Sequence, residues 1–344
     1  MRRGCAVCMG RRAFLALAGA GACALAGCSG VAGDDAGSAE ATSDLTATAF
    51  YFDTVLSVRA TCTESVMQDV LDRCEYFENT LSRTIESSDV GRINAAAGAP
   101  VEVADETAEL IGLALAYCEE SDGRFDITIG AVSELWDFEA GVVPDADELA
   151  EAVRHVDYTQ VTLDGTTVTL ADPAARLDLG GIAKGYIADD LCARLAAAGV
   201  TSACVNLGGN VKVLGKKPDG TPWRLGVEDP NAADDDEREA IATMTSTGGS
   251  LVTSGLYERQ FTQDGVTYWH ILDPTTGYPV QTDLVSATIT SDASIDGDAY
   301  ATCAFMLGRD EALAFVEAHD DVECMVVDAD GTMAMTSGCP LELA

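Results

Sequence analysis

The stretch that most constrains this chain is Leu177 to Asp189, LDLGGIAKGYIAD. A short apolar run ends on Asp178, two glycines follow, and the residues from Ala183 onward have helical character. Glycines at a strand-to-helix corner let the backbone approach a ligand closely, and the free N–H groups of the first helical turn favour an anion there. Lys184 would add a positive charge beside a phosphate. Two glycines and a lysine also describe an ordinary strand–helix turn with a solvated lysine, so the stretch has to be weighed with its companions.

The rest of the chain is consistent with an α+β fold of mixed or antiparallel sheets flanked by helices, without a regular βαβ rhythm. Phe50 to Ala60 reads as a first strand and Val66 to Leu81 as an amphipathic helix. A second helix is expected over Asp105 to Glu119. Val161 to Leu170 reads as a hairpin turning on Asp164-Gly165. Tyr186 to Ala197 continues the helix opened at the glycine corner, and Gly199 ends it. Strands are expected at Ala203–Leu207, Val211–Leu214, Trp223–Val227, Ala240–Thr245, Thr267–Leu272 and Leu284–Thr290, with an acidic loop from Asp229 to Glu239. Helices over Ser294–Leu307 and Asp310–Ala318 precede a hairpin of Val322–Asp328 with Thr332–Thr336.

Residues 1–27 read as an export signal. Arg11-Arg12-Ala13-Phe14-Leu15 begins a short apolar run and resembles a twin-arginine signal. Its ending, Leu25-Ala26-Gly27-Cys28, resembles a bacterial lipobox, in which Cys28 is lipidated; an ordinary secretory signal with a chance cysteine is the alternative. Residues 28–46 are small and polar and read as a flexible acidic tether, which leaves 47–344 as the folded domain. This places the protein outside the cytoplasm as a membrane-anchored lipoprotein.

With 57 acidic against 20 basic residues, the formal net charge is −37. Such a field opposes binding to nucleic acid, and an anionic ligand needs local help from a metal, a lysine or helix N-termini. Of the 12 cysteines, the eight beyond Cys28 lie apart without CxxC pairs. Cys118, Cys192 and Cys303 sit among alanines and leucines as small core residues do.

Four further stretches place small residues beside polar ones: Gly123-Arg124-Phe125-Asp126, Asn206-Leu-Gly-Gly-Asn210, Thr253-Ser254-Gly255 leading to His270-Ile-Leu272-Asp273-Pro274, and Asp298-Ala-Tyr-Ala-Thr302. Asp298 and Thr302 are four apart, so on a helix they share a face, and two hard oxygen donors so placed suit Mg²⁺ shared with ligand phosphates. The same spacing also describes an exposed Asp–Thr pair. His270 has the pKa of a general base near neutrality, although a lone histidine on a strand is often structural.

Taken together, LDLGGIAKGYIAD, VNLGGN, TSG, HILDPTTGYP and DAYAT, in that order and spacing, resemble the ApbE family of FAD:protein FMN transferases over about Phe50 to Leu307. The resemblance implies an enzyme that binds FAD with Mg²⁺ and cleaves its pyrophosphate. FMN is then attached by a phosphoester bond to a threonine or serine of an acceptor protein, and AMP is released. It further implies Asp298, Thr302 and the Gly181 carbonyl as metal ligands and His270 as general base. Arg124, Phe125, Asp126, Asp178, Lys184 and Leu272 would contact FAD. The family's flavin-contacting Met-Gly-Thr stands here as Phe52-Asp53-Thr54, and Thr84 replaces its usual tyrosine, so Phe52 and Thr84 are carried over at those places. Two other activities fit the same sequence: an FAD pyrophosphatase yielding FMN and AMP, and a flavin-binding carrier without turnover.

Overall fold

A computed structural model describes residues 40–232 and 239–344; the export signal, Cys28, most of the tether and part of the acidic loop lie outside these. In chain order the elements are β1 Ser43–Tyr51, β2 Thr54–Cys62, α1 Glu64–Leu81, α2 Asp89–Ala95, β3 Val101–Glu102, α3 Asp105–Glu120 and α4 Gly130–Ser133. They continue with α5 Ala146–Val153, β4 Val161–Asp164, β5 Thr167–Leu170, α6 Ala183–Ala197, β6 Ser202–Leu207, β7 Asn210–Gly215, β8 Trp223–Glu228 and β9 Ala240–Ser246. The last are β10 Ser250–Gly255, β11 Gln260–Gln263, β12 Val266–Trp269, β13 Leu284–Ser291, α7 Ser294–Leu307, α8 Arg309–Glu317, β14 Val322–Asp328, β15 Met333–Met335 and β16 Glu342–Leu343.

The class is α+β, as the sequence implies. An eight-stranded antiparallel sheet of order β1-β2-β6-β7-β10-β13-β14-β15 forms the backbone of the fold, and three small antiparallel sheets sit around it. Alternation explains its two faces. On β14, Cys324 and Val326 enter the main core beneath the helices, while Met325 and Val327 enter a second core shared with Trp223, Leu225 and Met244. The helices α6 and α7 are close-packed against each other and against the sheet. Ile187, Leu191 and Leu195 of α6 and Ala304 and Phe305 of α7 are fully enclosed.

Several boundaries differ from the sequence reading, each for a local reason. The folded body starts at Ser43, earlier than 47. Leu45, Ala47 and Ala49 alternate onto the core while β1 pairs along its whole length with β2. The expected strand over Phe50–Ala60 is therefore a hairpin. Phe52 and Asp53 reverse the chain with φ of 56° and 55°, the geometry of a tight two-residue turn. In the second hairpin Asp164 pairs with Thr167, so the turn is Gly165-Thr166 instead of Asp164-Gly165. Leu177–Leu179 is irregular chain, with one bridge from Arg176 to Ile129. β12 stops at Trp269, which leaves His270 just past the strand.

The antiparallel register gathers the motifs. The start of β2, the end of β6, the start of β7 and the end of β10 all lie at the same end of the main sheet, because Leu56 pairs with Leu207, Leu207 with Asn210, and Asn210 with Val252. The turn Gly208-Gly209, both at positive φ, packs against the neighbouring hairpin so closely that a Cβ on Gly208 would lie 2.4 Å from Thr54 Oγ1. Glycine-rich strand ends dispersed in sequence thereby become one rim.

Candidate active site

At that rim α6 crosses α7. A Cβ on Gly185 would stand 2.4 Å from the Ser294 carbonyl oxygen, so only a residue without a side chain allows the crossing. The same closeness lets the Gly185 N–H donate to Asp298 Oδ2 at 2.9 Å. One turn further along α6, Asp189 accepts from the N–H groups of Ser294 and Ile295, at 2.9 and 3.0 Å, and caps α7, whose own N-terminus lacks a side-chain cap. The LDLGGIAKGYIAD stretch is thus a clamp that fixes α7 as well as a corner.

The clamp places Lys184 beside Asp298. Lys184 Nζ lies 3.4 Å from Asp298 Oδ1 and 3.2 Å from the Gly180 carbonyl oxygen. Burial disfavours the ammonium charge, but Asp298 and then Glu258 outweigh it, so the Lys184 pKa lies above its ordinary value. Asp298 itself is only 3% exposed. On the same face of α7 the Thr302 hydroxyl donates to the Asp298 carbonyl at 3.2 Å and sits 3.5 Å from Ser254 Oγ, from the TSG stretch.

These residues fit a hard divalent cation. Asp298 is an enclosed carboxylate that already draws an ammonium toward Oδ1, and the Thr302 hydroxyl lies one turn along. The Gly181 carbonyl would complete an all-oxygen set, and Gly181 is held by the Phe125 ring, 3.0 Å from where its Cβ would be. Among the described residues no three His, Cys, Asp or Glu side chains converge as a cage. One carboxylate plus a ligand's phosphate oxygens is the usual way of holding Mg²⁺.

His270 lies within electrostatic reach of Lys184. Its N–H donates to the Arg259 carbonyl at 3.2 Å, extending the β11–β12 ladder beyond Gln260–Trp269. Arg259 in turn reaches the Asp53 carbonyl at 3.2 Å, tying His270 to the Phe52-Asp53 turn. Burial, reinforced by Arg259 and Lys184, pushes the His270 pKa down to about 4, so the ring is neutral at physiological pH. Nε2 faces Glu258 Oε2 at 3.8 Å. Burial, with Asp298 nearby, pushes Glu258 up to about 7 against the pull of Lys184 and Arg259.

The remaining expected residues divide. Asp178 belongs to the rim. It accepts from Ser133 Oγ at 2.8 Å and the Gly180 N–H at 2.9 Å, and pairs with Arg83 at 3.2 Å. The Phe52 N–H is held by Glu78 at 2.7 Å, and Thr84 is exposed with its hydroxyl on Ser82. Arg124 points toward Glu311, 3.9 Å away, on open surface. Asp126 is committed to the protein itself, accepting from Thr128 and from the Tyr158 N–H, and burial raises its pKa. Leu272 packs with Val132, Trp136 and Leu149 in a side core. That core positions the HILDPTTG loop, because Trp136 Nε1 donates to the Gly277 carbonyl at 2.9 Å.

Sequence reasoning passed over Glu258, Arg259, Asn94 and Asp189. Asn94 is buried and holds the Leu177 backbone with two hydrogen bonds, at 2.7 and 2.9 Å. Glu258 lies between two of the recognised stretches, TSG and HILDPTTGYP, and belongs to neither.

Comparison with known proteins identifies the family. The family model described as "ApbE family" matches residues 52–326. The FAD:protein FMN transferase of Treponema pallidum (strain Nichols) is 35% identical over 292 residues, covering 80% of each chain. That of Klebsiella pneumoniae (strain 342) is 37% identical over 279 residues, covering 80% of this chain and 85% of the other. Among solved structures, the ApbE protein of Thermotoga maritima superposes with a TM-score of 0.79 at 31% identity, covering 86% of this chain and 97% of its own. The flavin transferase ApbE of Vibrio cholerae, with a TM-score of 0.76 and 24% identity, shares the fold over 86% of this chain. With the family model running from the Phe52-Asp53 turn into β14, and so taking in both clamp helices and the rim, the chain belongs to the ApbE family.

Proposed function

We propose that this protein is an FAD:protein FMN transferase, which cleaves FAD and attaches FMN by a phosphoester bond to a threonine or serine of an acceptor protein, with release of AMP. The names of its relatives support the transferase reading. The observation that carries the site is the Lys184–Asp298 pair at the α6–α7 crossing, facing His270 across the rim.

In this reading Asp298, Thr302 and the Gly181 carbonyl would hold Mg²⁺, which supplies positive charge to a pyrophosphate as its bond breaks. Lys184 binds the diphosphate from the other side, and its strengthened charge suits that task. Asp178 and Phe125 border the nucleotide, with Phe52, Thr84, Arg124, Asp126 and Leu272 assigned to FAD contacts by family position. His270 lies in the proton path from the acceptor hydroxyl, and its neutrality at physiological pH leaves one ring nitrogen with a lone pair that can take a proton. The hydroxyl oxygen forms its bond to the FMN phosphorus, and the pyrophosphate bond breaks with its electron pair going to AMP.

The twin-arginine-like signal and the Leu-Ala-Gly-Cys28 ending support an extracytoplasmic lipoprotein anchored through Cys28. The test of function uses the full-length chain, FAD, Mg²⁺ and a threonine-bearing acceptor domain, followed by mass spectrometry. A Mg²⁺-dependent gain of one FMN on the acceptor is expected. Free FMN and AMP without that gain would make the protein a pyrophosphatase, and intact bound FAD would make it a carrier.

A further inference from the structure

The end of α1 brings a cation to the rim that none of the recognised stretches contains. α1 stops at Leu81, and Ser82 turns the chain away with an extended backbone, its N–H donating to the Glu78 carbonyl at 3.3 Å. The Ser82 carbonyl is held in turn by the hydroxyl of the buried Ser88. From this fixed corner the next two side chains part. Thr84 is exposed, and its hydroxyl turns back to Ser82 at 3.0 Å. Arg83 reaches Asp178 instead, with Nε 3.2 Å from Oδ2.

Asp178 does not depend on that partner. Its Oδ2 already accepts from Ser133 Oγ, and its Oδ1 accepts from the Gly180 N–H. An ion pair between side chains that are 31% and 20% exposed is worth little to the fold. Nor does the pair exhaust Arg83. The contact is one of charge, and none of the five guanidinium N–H groups finds a hydrogen-bond acceptor among the described residues. The other cations of the rim are committed: Lys184 to Asp298 and the Gly180 carbonyl, Arg259 to the Asp53 carbonyl.

A partly exposed guanidinium with unspent donors therefore stands one carboxylate away from the Gly180-Gly181 corner. In a chain of net charge −37, an anion at that corner needs such local help. Resting on the reading of the cleft as an FAD site, we propose that Arg83 is a substrate-binding residue that donates to a phosphate oxygen of FAD. Asp178 is then the positioning residue that aims the guanidinium, and the flat fork of donors suits phosphate oxygens better than an ammonium does.

Calorimetric titration of the full-length protein with Mg²⁺, and without any acceptor protein, tests this with FAD, adenosine and riboflavin as separate probes. Arg83→Met keeps much of the side chain's length and removes its donors. FAD affinity should fall about 10-fold or more in this variant, the worth of a hydrogen bond to a charged group. Adenosine and riboflavin carry no phosphate and should bind within about twofold of wild type. Arg83→Lys, which keeps the charge without the fork, should recover part of the FAD loss. Unchanged FAD affinity in Arg83→Met overturns the proposal and leaves the FAD reading standing. An equal loss for adenosine or riboflavin also overturns it, because Arg83 would then support the pocket instead of holding a phosphate. If the wild-type protein binds no FAD, the FAD reading and the proposal fall together.

Discussion

The Gly185 N–H reaches Asp298 Oδ2 at 2.9 Å because α6 presents no side chain where it crosses α7. The contact makes the position of the central carboxylate depend on a packing distance. Gly185→Ala would drive a Cβ to 2.4 Å from the Ser294 oxygen and 2.6 Å from Ile295 Cα, both backbone atoms that cannot swing aside. The expected cost is about 1–3 kcal/mol, read as a lowered Tm, together with weaker FAD binding as the helices part. A variant with wild-type Tm and affinity would show that the crossing is looser than described.

Asp298→Ala removes the enclosed carboxylate on which Lys184 and the Gly185 N–H converge and which is proposed to hold Mg²⁺. Turnover should vanish and should not return as Mg²⁺ is raised into the millimolar range. A full Mg²⁺ response in the variant would take Asp298 out of the metal assignment.

Asn94→Ala tests a support remote from the chemistry. It strips two hydrogen bonds from the Leu177 backbone and leaves a buried N–H and C=O without partners. About 2–4 kcal/mol of stability should be lost. Because Leu177 adjoins Asp178, the KM for FAD should rise more than kcat falls. Equal effects on the two constants would uncouple Asn94 from the nucleotide side of the cleft.

Two groups give stability a defined pH dependence. Glu258 keeps its proton up to about 7 in the fold but only to its ordinary 4.5 when unfolded, so the folded state holds the extra proton between these values. Stability therefore falls as pH rises through that window. His270 acts in the opposite sense. Its folded value of about 4 lies below its ordinary 6.5, so stability falls as pH drops from 6.5 toward 4. Glu258→Gln cancels only the first contribution, and the variant's Tm should gain on wild type between pH 4.5 and about 7 and level off above. A difference that is flat across this range would show that Glu258 titrates normally.

Much of the fold was legible where pattern and local chemistry agree. The amphipathic run of α1, the helix ended by Gly199 and the short apolar strands β13 and β14 follow from side-chain pattern and capping alone. The Phe52-Asp53 turn was not legible, because a phenylalanine at positive φ is a poor local choice made acceptable by the Glu78 bond and by pairing on both sides. Asp298, Thr302 and Lys184 were recognisable as a linear pattern and were brought together. The contacts of Arg124 and Asp126 were not legible, since their neighbours Glu311 and Tyr158 lie elsewhere in the chain. Glu258 carried no spacing signal of its own; only the β11–β12 register brings it to His270.

The order of strands in the main sheet has a consequence for biosynthesis. The β1–β2 hairpin forms early and locally, but the neighbour of β2 is β6, which begins at Ser202. At about 5–20 residues per second, the ribosome needs on the order of 10 s to deliver that partner. For this interval the inner edge of β2, with Leu56, Val58 and Ala60, stays uncovered. The nascent chain therefore passes through a stage in which an open strand edge invites wrong pairing.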